Sequence, residues 1–173
     1  MEVVTGYVRD ALARNASVLV VARDTHWRNI AAALARRGVV VGSDSRLVVL
    51  DARATLDQLM RHGRIEPALF DGTIRPLVRN LATATTAGLY AYGEMVDLLA
   101  AECDFEAAQA LEACWNELAA CESFTLLCGY AAAHFQAHAH REPFAAICAA
   151  HTSSRSDSSD ALGHWLLGSS AAS

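Results

Sequence analysis

Glu94 directly follows an apolar run, in the segment GLYAYGEM, and opens a stretch that reads as a helix. A carboxylate at such a junction gains from the positive end of the helix, so it can hold a polar group of a ligand or act as a base. It is equally well explained as a first-turn glutamate that satisfies backbone donors. Cys128 ends a second apolar run, FTLLCGY, where a thiolate beside a helix start would be reactive. A buried thiol behaving as a small hydrophobe is the commoner outcome, and a nucleophile would need a partnered base that the sequence does not assign. His134 and His138 stand four apart with His140 close behind, and Cys148 and His151 stand three apart. Such spacings place side chains on one helical face, where metals are held. They match no established zinc signature, so the expectation is no metal, with the histidines at the surface or at helix ends. Trp115 and Asn116 lie in LEACWNEL, and Trp115 continues the stripe Phe105, Ala108, Leu111, Trp115 and Leu118. That spacing makes Trp115 a core residue unless a cavity beside it makes it a ligand wall.

Four short apolar runs supply the strands that must carry these groups: SVLVVA (17–22), RLVVLDA (46–52), GLYAYG (88–93) and FTLLCGY (124–130). Each is apolar at consecutive positions, as expected where helices cover both faces of a parallel sheet. The intervening segments read as those helices. Residues 3–14 carry an apolar stripe, and a helix capped by Asp24 or Thr25 runs to about Arg37, with Gly38 as a left-handed stop. Further helices are expected at 54–60 and at 67–87, the latter kinked or divided by Pro76. A pair at 94–102 and 105–120, the second capped by Asp104, and a last helix at 142–151 complete the series. The alternation makes the fold α/β, a mostly parallel sheet with helices on both faces. Ligands bind such sheets at the carboxyl ends of the strands. That rule points to 22–24, 51–53, 92–95 and 128–130, and within them Arg23, Tyr92, Glu94, Met95, Cys128 and Tyr130 are the expected ligand contacts.

Composition removes several kinds of chemistry. All 14 basic residues are arginines, so no lysine can form a Schiff base or complete a GxxxxGK[ST] phosphate loop. A net charge of −5 without an arginine run offers nothing to a polyanion, so no direct contact with nucleic acid is expected. No GxSxG, HExxH, GxGxxG or paired-carboxylate motif occurs, and an enzyme is not expected. Five cysteines, odd in number and without CxxC spacing, are expected to be reduced thiols. With no signal-peptide core and no apolar run near the roughly 18 residues of a membrane span, the expected compartment is the cytoplasm.

Beyond His151 the chain reads TSSRSDSSD, a polar linker, and then ALGHWLLG, a short apolar patch. The expected division is a domain over 1–151 and a tail over 152–173, the patch docking on a surface or fraying.

The order VLVVA, RRG, RLVVLDA, GRIEPALF, AYGEMVDLLA, LEACWNELA, FTLLCGY and ICAAH resembles the MEDS domain, the methanogen/methylotroph DcmR sensory domain. The most specific pieces are GEMVDLL, LEACWNEL and LLCGY, and the likeness runs from about Val3 to Thr152. It implies a small-molecule sensor for simple hydrocarbon derivatives, with no cofactor, on a RecA-like fold lacking the phosphate loop. It also implies that Glu94, Trp115, Asn116, Cys128 and His151 fall on the family's recurring positions. Members of the family usually open with a strand of the type HxCxFY, whereas this chain starts inside the following helix, so that first strand is missing. Such a loss would leave central backbone groups unpaired unless the start lies upstream, another segment or protomer fills the gap, or the strands close up. Strand exchange in a homodimer is the preferred expectation.

Together these readings describe a stand-alone sensory domain that binds a small, weakly polar organic molecule between apolar walls. Its signal would pass by protein contact to a histidine kinase, an anti-sigma factor or a transcription regulator, with ALGHWLLG as the docking peptide. The rival readings are an enzyme using Glu94 with Cys128 or a histidine, and a degenerate dimerisation scaffold that binds nothing.

Overall fold

The computed structural model describes residues 2–42, 44–135, 141–149 and 151. The chain runs through α1 (Glu2–Ala13), β1 (Ser17–Ala22), α2 (Asp24–Arg36), β2 (Leu47–Asp51) and α3 (Ala52–Leu59). A small hairpin, β3 (Met60–Arg61) and β4 (Arg64–Ile65), leads to α4 (Pro67–Ala84), β5 (Leu89–Gly93) and α5 (Met95–Ala101). Then come α6 (Phe105–Cys121), β6 (Phe124–Cys128), a 3-10 turn (Ala132–Phe135) and α7 (Arg141–Ala149).

Four strands form one parallel sheet in the order β2-β1-β5-β6. The α/β architecture expected from the four apolar runs is therefore present, in a RecA-like or Rossmann-like arrangement. Alternate residues of each strand serve opposite faces. Val18, Val20, Ala22 and Tyr92 pack against Val8, Ala11 and Leu12 of α1 and Ile30 and Leu34 of α2. Leu19, Val21, Leu89 and Ala91 pack against α3, α4, α5 and α6 through Leu56, Val78, Leu99 and Leu111. Every residue of β1 is buried, which is why its sequence shows no polar alternation.

The sheet has no vacant place between its strands. β5 pairs directly with β6, from Leu89 opposite Phe124 to Gly93 opposite Cys128. The Tyr7 hydroxyl of α1 donates to the Ala91 and Thr125 carbonyls at 3.2 and 2.9 Å, fixing that helix over the same two strands. Within this sheet every neighbouring pair of strands is hydrogen-bonded, so no backbone between them is left unpaired.

Several local expectations are corrected. Arg23, not Asp24 or Thr25, is the N-cap of α2, and Asp24 is instead a first-turn acid paired with Arg28 at 2.7 Å. Asp51 starts α3 two residues early by accepting from the Ala54 N–H at 2.8 Å. Pro76 does not divide α4, because Phe70, Ile74, Val78 and Leu81 are buried on both sides of it. Burying such side chains contributes about 1.5–3 kcal/mol each, and the four together exceed the roughly 3 kcal/mol cost of one helical proline. Asp104 caps α6 as expected, accepting from the Ala107 N–H at 3.0 Å. Among the described residues no helix is long and apolar enough to cross a membrane. The tail at 152–173, with its apolar patch, lies outside the described residues.

Candidate functional site

The chain leaves β1 through α2 on one face of the sheet and leaves β5 through α5 and α6 on the other. The carboxyl ends of these adjacent strands are thus the switch point at which open α/β sheets form a crevice. Arg23 follows β1 there and Glu94 follows β5.

Glu94 is only 2% exposed, and both its carboxylate oxygens are occupied. Oε2 accepts from the Arg23 backbone N–H at 3.0 Å and from its guanidinium at 3.3 Å. Oε1 accepts from the Tyr92 hydroxyl at 2.8 Å, and His26 Nδ1 lies 3.0 Å from each oxygen. Glu94 holds the N-cap position of α5 yet makes no side-chain capping bond, so its role is in this cluster and not at the helix end. Asp97, 3% exposed, takes the other arm of Arg23 at 2.7 Å. Its second oxygen accepts from the Ala131 N–H at 2.7 Å and lies 3.4 Å from His134 Nε2. The cluster therefore joins the β1–α2 turn, the β5–α5 turn and the segment after β6. Burial, and then the Glu94 charge, push the Tyr92 phenol well above the ordinary tyrosine range. That phenol stays a donor. A Cβ on Gly129 would lie 2.6 Å from its oxygen, so this position has room only for glycine.

A second polar group occupies the α6 side of the sheet. The Tyr130 hydroxyl donates to Glu112, a buried acid of α6, and the rings of Tyr130 and His151 meet edge to face at 5.9 Å. The ligand atoms of Glu112, Cys128 and His151 lie within 4.8 Å of one another. Burial raises the Cys128 thiol and the Tyr130 phenol far above their ordinary values, and it raises the Glu112 carboxyl as well. A neutral, desolvated thiol is the opposite of a reactive thiolate.

The residues selected from sequence thus separate into three sets. Arg23, Tyr92 and Glu94 meet at the switch point, while Cys128, Tyr130 and His151 form the second group. Met95, Trp115 and Asn116 join neither among the interactions described. Met95 is buried in the core, Trp115 lies between Phe70 and Phe124 at ring separations of 5.1 and 6.2 Å, and Asn116 is exposed on α6. His26, Asp97 and Glu112 were not selected, and His134 was weighed only as a metal ligand paired with His138. Glu112 carried a usable signal, since it falls beside Leu111 and Trp115 on the buried stripe of α6. His151 is more than a capping histidine: Nδ1 reaches the Ile147 carbonyl at 2.7 Å while Nε2 turns inward. His138 and His140 lie outside the described residues.

The expected apolar-walled crevice is not what the described strand ends present, because charged side chains occupy them. A groove of about 560 Å³ lies at the opposite end of the sheet, lined by Leu12, Val39, Asp44 and Arg46 among others.

Residues 1–152 match the family described as MEDS, MEthanogen/methylotroph, DcmR Sensory domain. No curated protein matches the chain, and no solved structure does.

Proposed function

We propose that this chain, which belongs to the MEDS family of sensory domains, takes a small hydrocarbon-derived molecule at the Arg23–Glu94 edge and passes the occupancy to an output protein by contact. One observation carries the reading: a buried carboxylate at the switch point of the sheet is held by donors from two elements, and its neighbour Asp97 extends the same network to a third. A ligand polar group that draws Arg23 or His26 away loosens all three segments together. Such a ligand shifts the conformational population to the extent that it prefers the loosened state. Both oxygens of Glu94 are already engaged, which suits a latch better than a general base. Five cysteines outside any disulfide fit action in a reducing cytoplasm.

The test is a melting-temperature series against small alcohols, aldehydes, amines and halogenated alkanes, with product formation followed in the same samples. A ligand at a hundred times its dissociation constant adds about 2.7 kcal/mol, which is a rise of roughly 5–10 °C for a domain of this size. The expected result is such a rise for one chemical class, absent in Arg23→Ala, with no turnover. Product formation that disappears in Glu94→Gln would make the protein an enzyme, and a flat response to every class would leave the scaffold without a ligand.

A further inference from the structure

We propose that Glu112, Cys128 and His151 bind a divalent cation of the zinc class on the α6 side of the sheet. The three residues come from separate elements, α6, the end of β6 and the turn after α7, yet one carboxylate oxygen, one sulfur and one ring nitrogen converge to within 4.8 Å. Carboxylate oxygen, thiolate and imidazole are the donors this cation takes, at about 2.0–2.3 Å. Tetrahedral ligands at those bond lengths stand about 3.3–3.8 Å apart. His151 Nε2 and Glu112 Oε1 are already 3.7 Å apart.

The orientation of His151 points to an electron-pair acceptor at the centre of the group. Its Nδ1 lies 2.7 Å from the Ile147 carbonyl and must donate to it, which leaves Nε2 as the nitrogen that can ligate. A ring N–H bound to a backbone carbonyl is the usual outer support of a metal-binding histidine. Nε2 is buried and has no hydrogen-bond partner, and it faces a carboxylate, itself an acceptor. No guanidinium contacts Glu112 among the described residues. A cation between the two acceptors satisfies both. The Cys128 proton leaves to solvent as the sulfur–metal bond forms. Tyr130, which donates to Glu112, holds that carboxylate in place. Three protein ligands leave a fourth position to water or to a small donor molecule.

The site is separate from the Arg23–Glu94 edge, so its test does not depend on the ligand proposed there. The full chain, reduced and freed of metal by chelation, is titrated with Co²⁺ as a spectroscopic probe and then with Zn²⁺. The expected result is one equivalent of Co²⁺ giving a thiolate-to-metal charge-transfer band with intense tetrahedral visible bands, displaced by Zn²⁺. Cys128→Ser should remove the charge-transfer band, and Glu112→Gln and His151→Gln should each weaken Co²⁺ binding at least about tenfold. A Cys103→Ser/Cys121→Ser control, which removes two exposed thiols, should leave the spectrum unchanged. Should Cys128→Ser fail to fold by circular dichroism, the His151→Gln titration decides. No charge-transfer band at stoichiometric Co²⁺, or a band that survives His151→Gln at full affinity, would overturn the site and leave the cluster a long ion pair.

Discussion

Glu94 gathers hydrogen bonds from Arg23, His26 and Tyr92 in a position almost closed to water, so each donor there has one productive partner. Glu94→Gln keeps the volume but removes the charge facing a partly buried guanidinium, and should destabilise the fold by about 2–4 kcal/mol in urea denaturation. Gly129→Ala should be costly for a steric reason, since the added methyl meets a tyrosine ring fixed by its own hydrogen bond. A loss of about 1–3 kcal/mol by the same measurement is expected, with Tyr92 displaced. Tyr92 also sets an alkaline limit. Its phenol is raised in the folded chain, and an unfolded tyrosine ionises near about pH 10, so above that pH the folded state holds the proton that the unfolded state has lost. Stability contributed by the neutral phenol is complete below about pH 10 and falls as the pH climbs further; Tyr92→Phe should flatten that fall between about pH 9 and about pH 11. Of these residues, Arg23, Tyr92 and Glu94 were legible because strand ends can be read from apolar runs. His26 was not, since its partner lies 68 positions away and no local pattern records the pairing.

At the scale of elements, the sheet was legible because its strands are written as apolar runs, fully buried in β1, largely so in β5, and partly buried in the edge strands β2 and β6. The hairpin Met60–Arg61 with Arg64–Ile65 was not, because two-residue strands show no periodicity. The opposite error occurred at Pro76, where a local rule predicts a break and the buried stripe of α4 overrides it. Helix starts matter to the sites as well as to the fold. Asp104 caps α6, which presents Glu112 to the second polar group, so Asp104→Ala should cost about 1 kcal/mol and, in the cobalt titration, weaken binding without abolishing it. An unaltered denaturation midpoint in that variant would show that the cap contributes nothing.

The whole molecule is a parallel sheet whose carboxyl edge carries two polar groups, the first of them tied to the segment after β6 through Asp97. The strand ends read from the sequence do bring Arg23, Tyr92 and Glu94 together, but an apolar chamber was expected there and a charged cluster is found. The difference arises because a burial pattern shows which positions leave water, and not which charges compensate one another once they have left. If the charged latch is the sensor, ligand binding must change the dynamics of the segments it ties together. Hydrogen exchange of the full chain, followed by mass spectrometry with and without a ligand found in the melting series, measures this directly. Altered protection is expected in 22–27, 92–98 and 129–135, lost in Arg23→Ala. A change confined to the groove around Leu12 and Arg46, at the other end of the sheet, would contradict the latch.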